Sequence, residues 1–166
     1  MYPSMVLAGT SYACLLLGLL ASALMAGFFY AYSVSVMRGL DATDPLAAAL
    51  AMRNINALIR TPVFFFGFFG ALGFPLLTAL LAPRRPVMLL ALAGALAYGV
   101  GAFLVTVAIN VPLNNALAAA TPTVENAAAL WSGYTGPWTR WNHVRTLASI
   151  IAFALLTAAV VIEHQR

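Results

Sequence analysis

The sequence predicts an all-α integral membrane protein, a four-helix bundle with short surface helices in its two long loops. Of its 166 residues, 63% are hydrophobic and only 7% are charged. Charged side chains are absent from residues 1–37, 61–83, 86–124 and 146–162, and about 20 mainly apolar residues suffice to cross the hydrocarbon core as a helix. These stretches leave no length for a second domain. Residues 1–166 are therefore read as one transmembrane unit with spans about 6–37, 62–82, 87–110 and 141–163.

The first span opens on "MYPSMVLAG", which lacks the basic start of a signal peptide and reads as a retained helix. It is longer than a bilayer needs, so it tilts or projects beyond the surface. "RGLDATDP" breaks it, and Asp44 before Pro45 is an N-cap followed by proline at the first helical position, predicting a surface helix over 45–58 that ends near Arg60. In the second span, "PVFFFGFFGALGFPLLTALLA", Gly67, Gly70 and Gly73 let a neighbouring helix approach closely, and Pro75 predicts a kink. "PRRP" at 83–86 is a tight connection to the third span, where Gly94, Gly99 and Gly101 offer further small surfaces. The second long loop follows, with a surface helix expected near 122–134 after Thr121.

The net charge of +4 comes from arginines scattered along the chain, which argues against nucleic acid and leaves the lipid bilayer as the first partner. Cys14 is the only cysteine, so neither an intrachain disulfide nor a thiolate metal site is expected. Four crossings put the first and third connections on one side of the membrane. Nearly all unusual residues fall there, whereas the opposite side holds only Arg84, Arg85, Glu163, His164 and Arg166. Arginines number five on the long-loop side against three. Discounting those drawn into a site favours cytoplasmic termini. A homo-oligomer is allowed for.

The densest cluster is "GPWTRWNHVRT" at 136–146. Counting back about 20 residues from Ile162 to fill the bilayer places His143 and Arg145 inside the membrane edge. On a helix, Trp138, Trp141 and Arg145 share a face at i, i+3 and i+7, and Asn142 stacks with Thr146 and Ser149. Ordinary roles compete at several positions. Trp131 and Trp138 suit an interfacial belt, and Arg38 and Arg140 suit snorkelling to phosphates. Asn54 and Asn56 suit loop backbone, Asn110 a C-cap before Pro112, and Tyr30, Tyr32 and Ser33 contacts between helices. Arg145 lies deepest, and an ionisable group in the membrane is costly enough to suggest function.

No metal is expected, because His143 has no clustered partners; a haem held by His143 alone is left open. Hydrolase, P-loop and dinucleotide motifs are absent. What remains is a histidine that moves a proton, arginines and amides that hold an anion, and aromatics that stack on a ring: a site for a flat, oxygenated, weakly acidic molecule.

"GFFYAYSVSVMRGL" at 27–40, "MRNINALIRTPVF" at 52–64, "VTVAINVPLNNALA" at 105–118 and "LWSGYTGPWTRWNHVRTLAS" at 130–149 together resemble the small four-span membrane proteins grouped with the anthrone oxygenases. The resemblance covers most of the chain. It implies a four-helix bundle and, for characterised fungal members, oxidation of an anthrone to an anthraquinone with molecular oxygen and no established organic cofactor.

The resulting expectation is a membrane oxygenase acting on a lipophilic aromatic or enolisable substrate, with no cofactor. His143 would be the general base, and Arg145 with Asn110, Asn114 or Asn142 would stabilise the enolate or phenolate. Trp138 and Trp141 would stack on the ring, with Asn56 and Arg60 completing the substrate site. The rival expectation is a non-catalytic protein that binds or carries an amphipathic anion, or a subunit of a membrane complex. A carrier should show repeats with broken helices, and no repeat is present in the sequence.

Overall fold

The computed structural model describes residues 2–165, with side chains described from Met5 onward. Arg166, placed above on the side of the termini, lies outside the described residues. Among the described residues four helices are long and apolar enough to cross a membrane, Met5–Asp41, Pro62–Leu81, Arg85–Ala119 and Ala127–His164, and the chain is an integral, multi-pass membrane protein. They touch in the cyclic order first, second, third, fourth and back to first. The described core combines large side chains such as Leu15, Phe29, Tyr98 and Leu156 with many alanines, among them Ala21, Ala71, Ala91, Ala102, Ala152 and Ala159, while Leu80, Leu96, Val100 and Leu147 are exposed. In lipid, small residues between helices add cohesion by letting backbones approach closely.

Asp44 caps the surface helix as expected, its Oδ1 accepting from the backbone N–H groups of Leu46 and Ala47 at 3.0 Å each, and the helix occupies Pro45–Leu58. It rests on the third and fourth helices at the long-loop end. Thr61 then caps the second span through a bond from the Phe64 N–H at 3.2 Å. That span stays helical through Pro75, which is buried against Gly18; a Cβ on Gly18 would stand 3.0 Å from Pro75 Cδ. Gly67 and Gly70 face the first span at Met25 and Ala21, whereas a Cβ on Gly73 would meet nothing within 4 Å. At the opposite end Arg84 Nη1 donates to the Ile162 carbonyl at 2.6 Å, holding the last turn of the fourth helix.

Two boundaries differ from expectation. The third helix does not stop at Asn110. It passes through π-helical stretches at Gly99–Leu104 and Thr106–Asn110 and resumes as α-helix over Val111–Ala119. Pro112 would clash with an α-helical turn at Ala108, and the wider π turn accommodates it. The second loop helix is likewise not separate, because Ala127–His164 is one helix of 38 residues that includes Pro137. Trp131, Tyr134, Trp138, Asn142 and Arg145 form one buried stripe along it. Keeping that stripe on one face requires a single helical register from loop to membrane.

Among the glycines the closest approach is at Gly101, where a Cβ would lie 2.5 Å from the Ala148 Cβ. Overpacking of this kind costs roughly 1–3 kcal/mol. Gly101→Ala should therefore lower the melting temperature in detergent. Gly133→Ala, where nothing lies within 4 Å, should hold or raise it, since alanine is the better helix former. Equal melting temperatures for the two variants would contradict this helix contact.

Candidate functional site

The site is built where the π-helical stretches of the first and third spans meet the fourth. Tyr32–Val36 and Thr106–Asn110 carry Tyr32, Ser33, Thr106 and Asn110, and π turns commonly mark functional positions. Arg145 is 5% exposed. Its Nη2 donates to Asn142 Oδ1 at 2.8 Å and its Nη1 to Thr106 Oγ1 at 3.3 Å. Its guanidinium carbon stands 4.5 Å from the Phe29 ring centre and 4.8 Å from that of Trp138, the arrangement of a cation held on aromatic faces. Its Nε has no hydrogen-bond partner among the described residues. Among the described residues no carboxylate forms an ion pair with it; the ion pair found is Arg84–Glu163, at the other end of the bundle.

Asn142 holds this cation in place. Its Nδ2 donates to the Phe29 carbonyl and to Ser33 Oγ, both at 2.8 Å, and Ser33 Oγ lies 3.0 Å from Thr146 Oγ1. The side chain thus ties the fourth span to the first while its Oδ1 orients the guanidinium. Asn110, fully buried, donates to the Trp138 carbonyl at 3.2 Å. Trp138 Nε1 and the Tyr134 hydroxyl both donate to Asn114 Oδ1, at 2.8 and 2.9 Å. With its acceptor so engaged, Asn114 has its NH2 donors left for a ligand.

A cavity of about 270 Å³ opens onto this assembly. Phe28, Phe29, Tyr32, Phe64, Phe68 and Trp138 give it aromatic walls, Asn56, Asn114 and Asn115 amides, and Arg53, Arg60 and Arg145 positive charge. Among the described residues no His, Asp or Glu lines it. A depression of about 570 Å³ at the other end, beside Met5, Gly9, Tyr12 and Glu163, has neither the stacked rings nor the amides.

The structure separates the expected site residues. Arg145, Trp138, Asn114, Asn56 and Arg60 line the cavity, and Asn142 and Asn110 stand behind it as supports. His143 and Trp141 are not part of it. His143 is exposed on the outer surface of the fourth helix, and Trp141 is 39% exposed. The reason is helical geometry: at about 100° per residue, His143 lies ~160° around the axis from Arg145, so burying one turns the other outward. Trp141 sits at the edge of the buried stripe. The base role expected of His143 therefore has no geometry facing the cavity. Sequence reading missed Phe29, Thr106 and Arg53 as cavity residues. The signals were present, with Thr106 and Asn110 as i, i+4 polar residues in an apolar run and Arg53 in step with Asn56 and Arg60.

A helical membrane bundle with an arginine-anchored, aromatic-walled cavity defines the class. A family model described as anthrone oxygenase matches residues 56–155, which is more than half of the chain and includes most of the cavity. The chain belongs to the anthrone oxygenase family. No curated protein and no solved structure matches it. Among the described residues no three His, Cys, Asp or Glu side chains are grouped as metal ligands would be.

Proposed function

We propose that the protein is a membrane-embedded oxygenase that oxidises a lipophilic, planar aromatic substrate of the anthrone type with molecular oxygen and without an organic cofactor. The observation that carries this reading is Arg145, a buried cation with no carboxylate partner and an unused Nε, facing an aromatic-walled cavity. Desolvating such a charge costs on the order of several kcal/mol, and an anionic ligand offsets that cost. An enolate or phenolate oxygen fits the available donors.

Arg145 and the Asn114 NH2 group stabilise the enolate oxygen of the bound ketone and so raise the acidity of the CH2 group across the central ring, which is conjugated to that oxygen through the fused rings. The released proton passes to water at the cavity mouth, since no histidine or carboxylate lines the walls. Electron transfer from the enolate to oxygen, followed by formation of a C–O bond, gives a peroxide at the former CH2 carbon. Loss of water then leaves a carbonyl. One oxygen atom enters the ring system, and the other leaves as water with the two hydrogens of the CH2 group.

Oxygen uptake by the protein in nanodiscs, with an anthrone as substrate and quinone absorbance as the second readout, tests this function. His143→Ala should retain uptake within about twofold, because a true general base contributes ~10²–10⁴-fold. A hundredfold loss in a folded His143→Ala variant would restore the histidine as base and remove the cavity as the reacting site. Ligand binding without oxygen uptake would instead support a non-catalytic anion-binding protein.

A further inference from the structure

The segment that borders the cavity carries two cations. Arg53 and Asn56, at i and i+3 on the surface helix, and Arg60, two residues past its end at Leu58, all line the cavity. Val111, Asn114, Asn115 and Ala118 of the third span form a second wall with similar spacing. Arg53 is half-buried and Arg60 is exposed at the boundary where the second span begins. Neither has an ion pair with a described residue. The acids closest in sequence are engaged elsewhere. Asp41 Oδ1 accepts from Trp131 Nε1 and Thr135 Oγ1 at 2.8 Å each, and Asp44 caps the surface helix.

Three guanidinium groups and no carboxylate around one cavity exceed what a single enolate neutralises. We propose that Arg53 and Arg60 form a second anionic subsite at the mouth, and that the preferred substrate is a planar lipophilic acid bearing a carboxylate. The carboxylate sits between Arg53 and Arg60, and the ionisable ring oxygen sits at Arg145. Guanidinium forks suit carboxylates because both present paired, coplanar hydrogen-bonding groups. Two anchors at opposite ends also fix which edge of the ring system enters first. This inference rests on the reading of the cavity as the substrate site. The rival anion for the mouth is a lipid phosphate, which arginines at span ends ordinarily reach.

The test compares two hydroxyanthraquinones that differ by one carboxylate, with binding read from tryptophan fluorescence quenching in nanodiscs. In phosphatidylcholine discs the carboxylated ligand should bind the wild-type chain ~10–100-fold more tightly. In Arg53→Gln/Arg60→Gln that ratio should collapse towards one, whereas Arg145→Gln should weaken both ligands and keep the ratio. A ratio of one in the wild type, or an undiminished ratio in the double variant, would overturn the subsite. Absence of any carboxylate preference, together with a double variant whose melting temperature alone loses its dependence on phosphatidylglycerol, would assign the arginines to lipid phosphate and overturn it too. Failure of the oxygenase reading is distinguishable, because it would leave the ligand ratio intact while oxygen uptake is absent.

Discussion

Replacing Arg145 by glutamine is expected to lower oxygen uptake with an anthrone by ~10²–10³-fold, the scale on which loss of one preorganised oxyanion donor acts. The loss arises because Arg145 is the buried cation of the cavity, and the Asn114 amide beside Trp138 that remains to the enolate is neutral. The fold should survive the change, since removing a buried cation with no carboxylate partner also removes its desolvation cost. The melting temperature should hold or rise. Arg145→Lys retains the charge but not the planar fork stacked on Phe29 and Trp138, so its activity should lie between the two. Arg140 is exposed on the same helix. Wild-type uptake in a folded Arg145→Gln variant would remove the anion anchor from the mechanism.

The second large effect is expected at Asn142, where one amide joins two spans and the buried Arg145 guanidinium. Asn142→Leu is close in size but removes the bonds to the Phe29 carbonyl, Ser33 Oγ and Arg145 Nη2. Interhelical hydrogen bonds in membranes average about 0.6 kcal/mol each, and leaving buried partners unpaired adds a cost of ~1–3 kcal/mol. The melting temperature in detergent should therefore fall. Oxygen uptake should fall further than at Asn110→Leu, because Asn110 donates to the Trp138 carbonyl while Asn142 accepts directly from the guanidinium. A variant that melts with the wild type and turns over normally would show that the network does not organise the site.

The bundle was legible in the sequence because the requirement for crossing a membrane is simple. A charge-free run of sufficient length has few alternatives, and the Asp44–Pro45 cap marks a helix start by local chemistry. The continuation of the third helix past Asn110 was not legible. Pro112 ordinarily argues for a stop, and only the tertiary setting of the preceding π turn relieves it. The fusion of the loop helix with the fourth span was hidden in the same way behind Gly136 and Pro137, although the Trp131–Tyr134–Trp138–Asn142 stripe already had one continuous period. At the site, Arg145 is buried and His143 is exposed. Residue type suggested a base, while the two-residue separation from Arg145 already required the imidazole to face outward.

A structure of the protein with a planar hydroxyanthraquinone bound in lipid tests the central claim most directly. The ring is expected to lie in the cavity among Phe64, Phe68 and Trp138, with its anionic oxygen within hydrogen-bond distance of the Arg145 guanidinium and His143 touching no part of the ligand. A ligand seated away from Arg145, or with its oxygen bonded to His143, would contradict it.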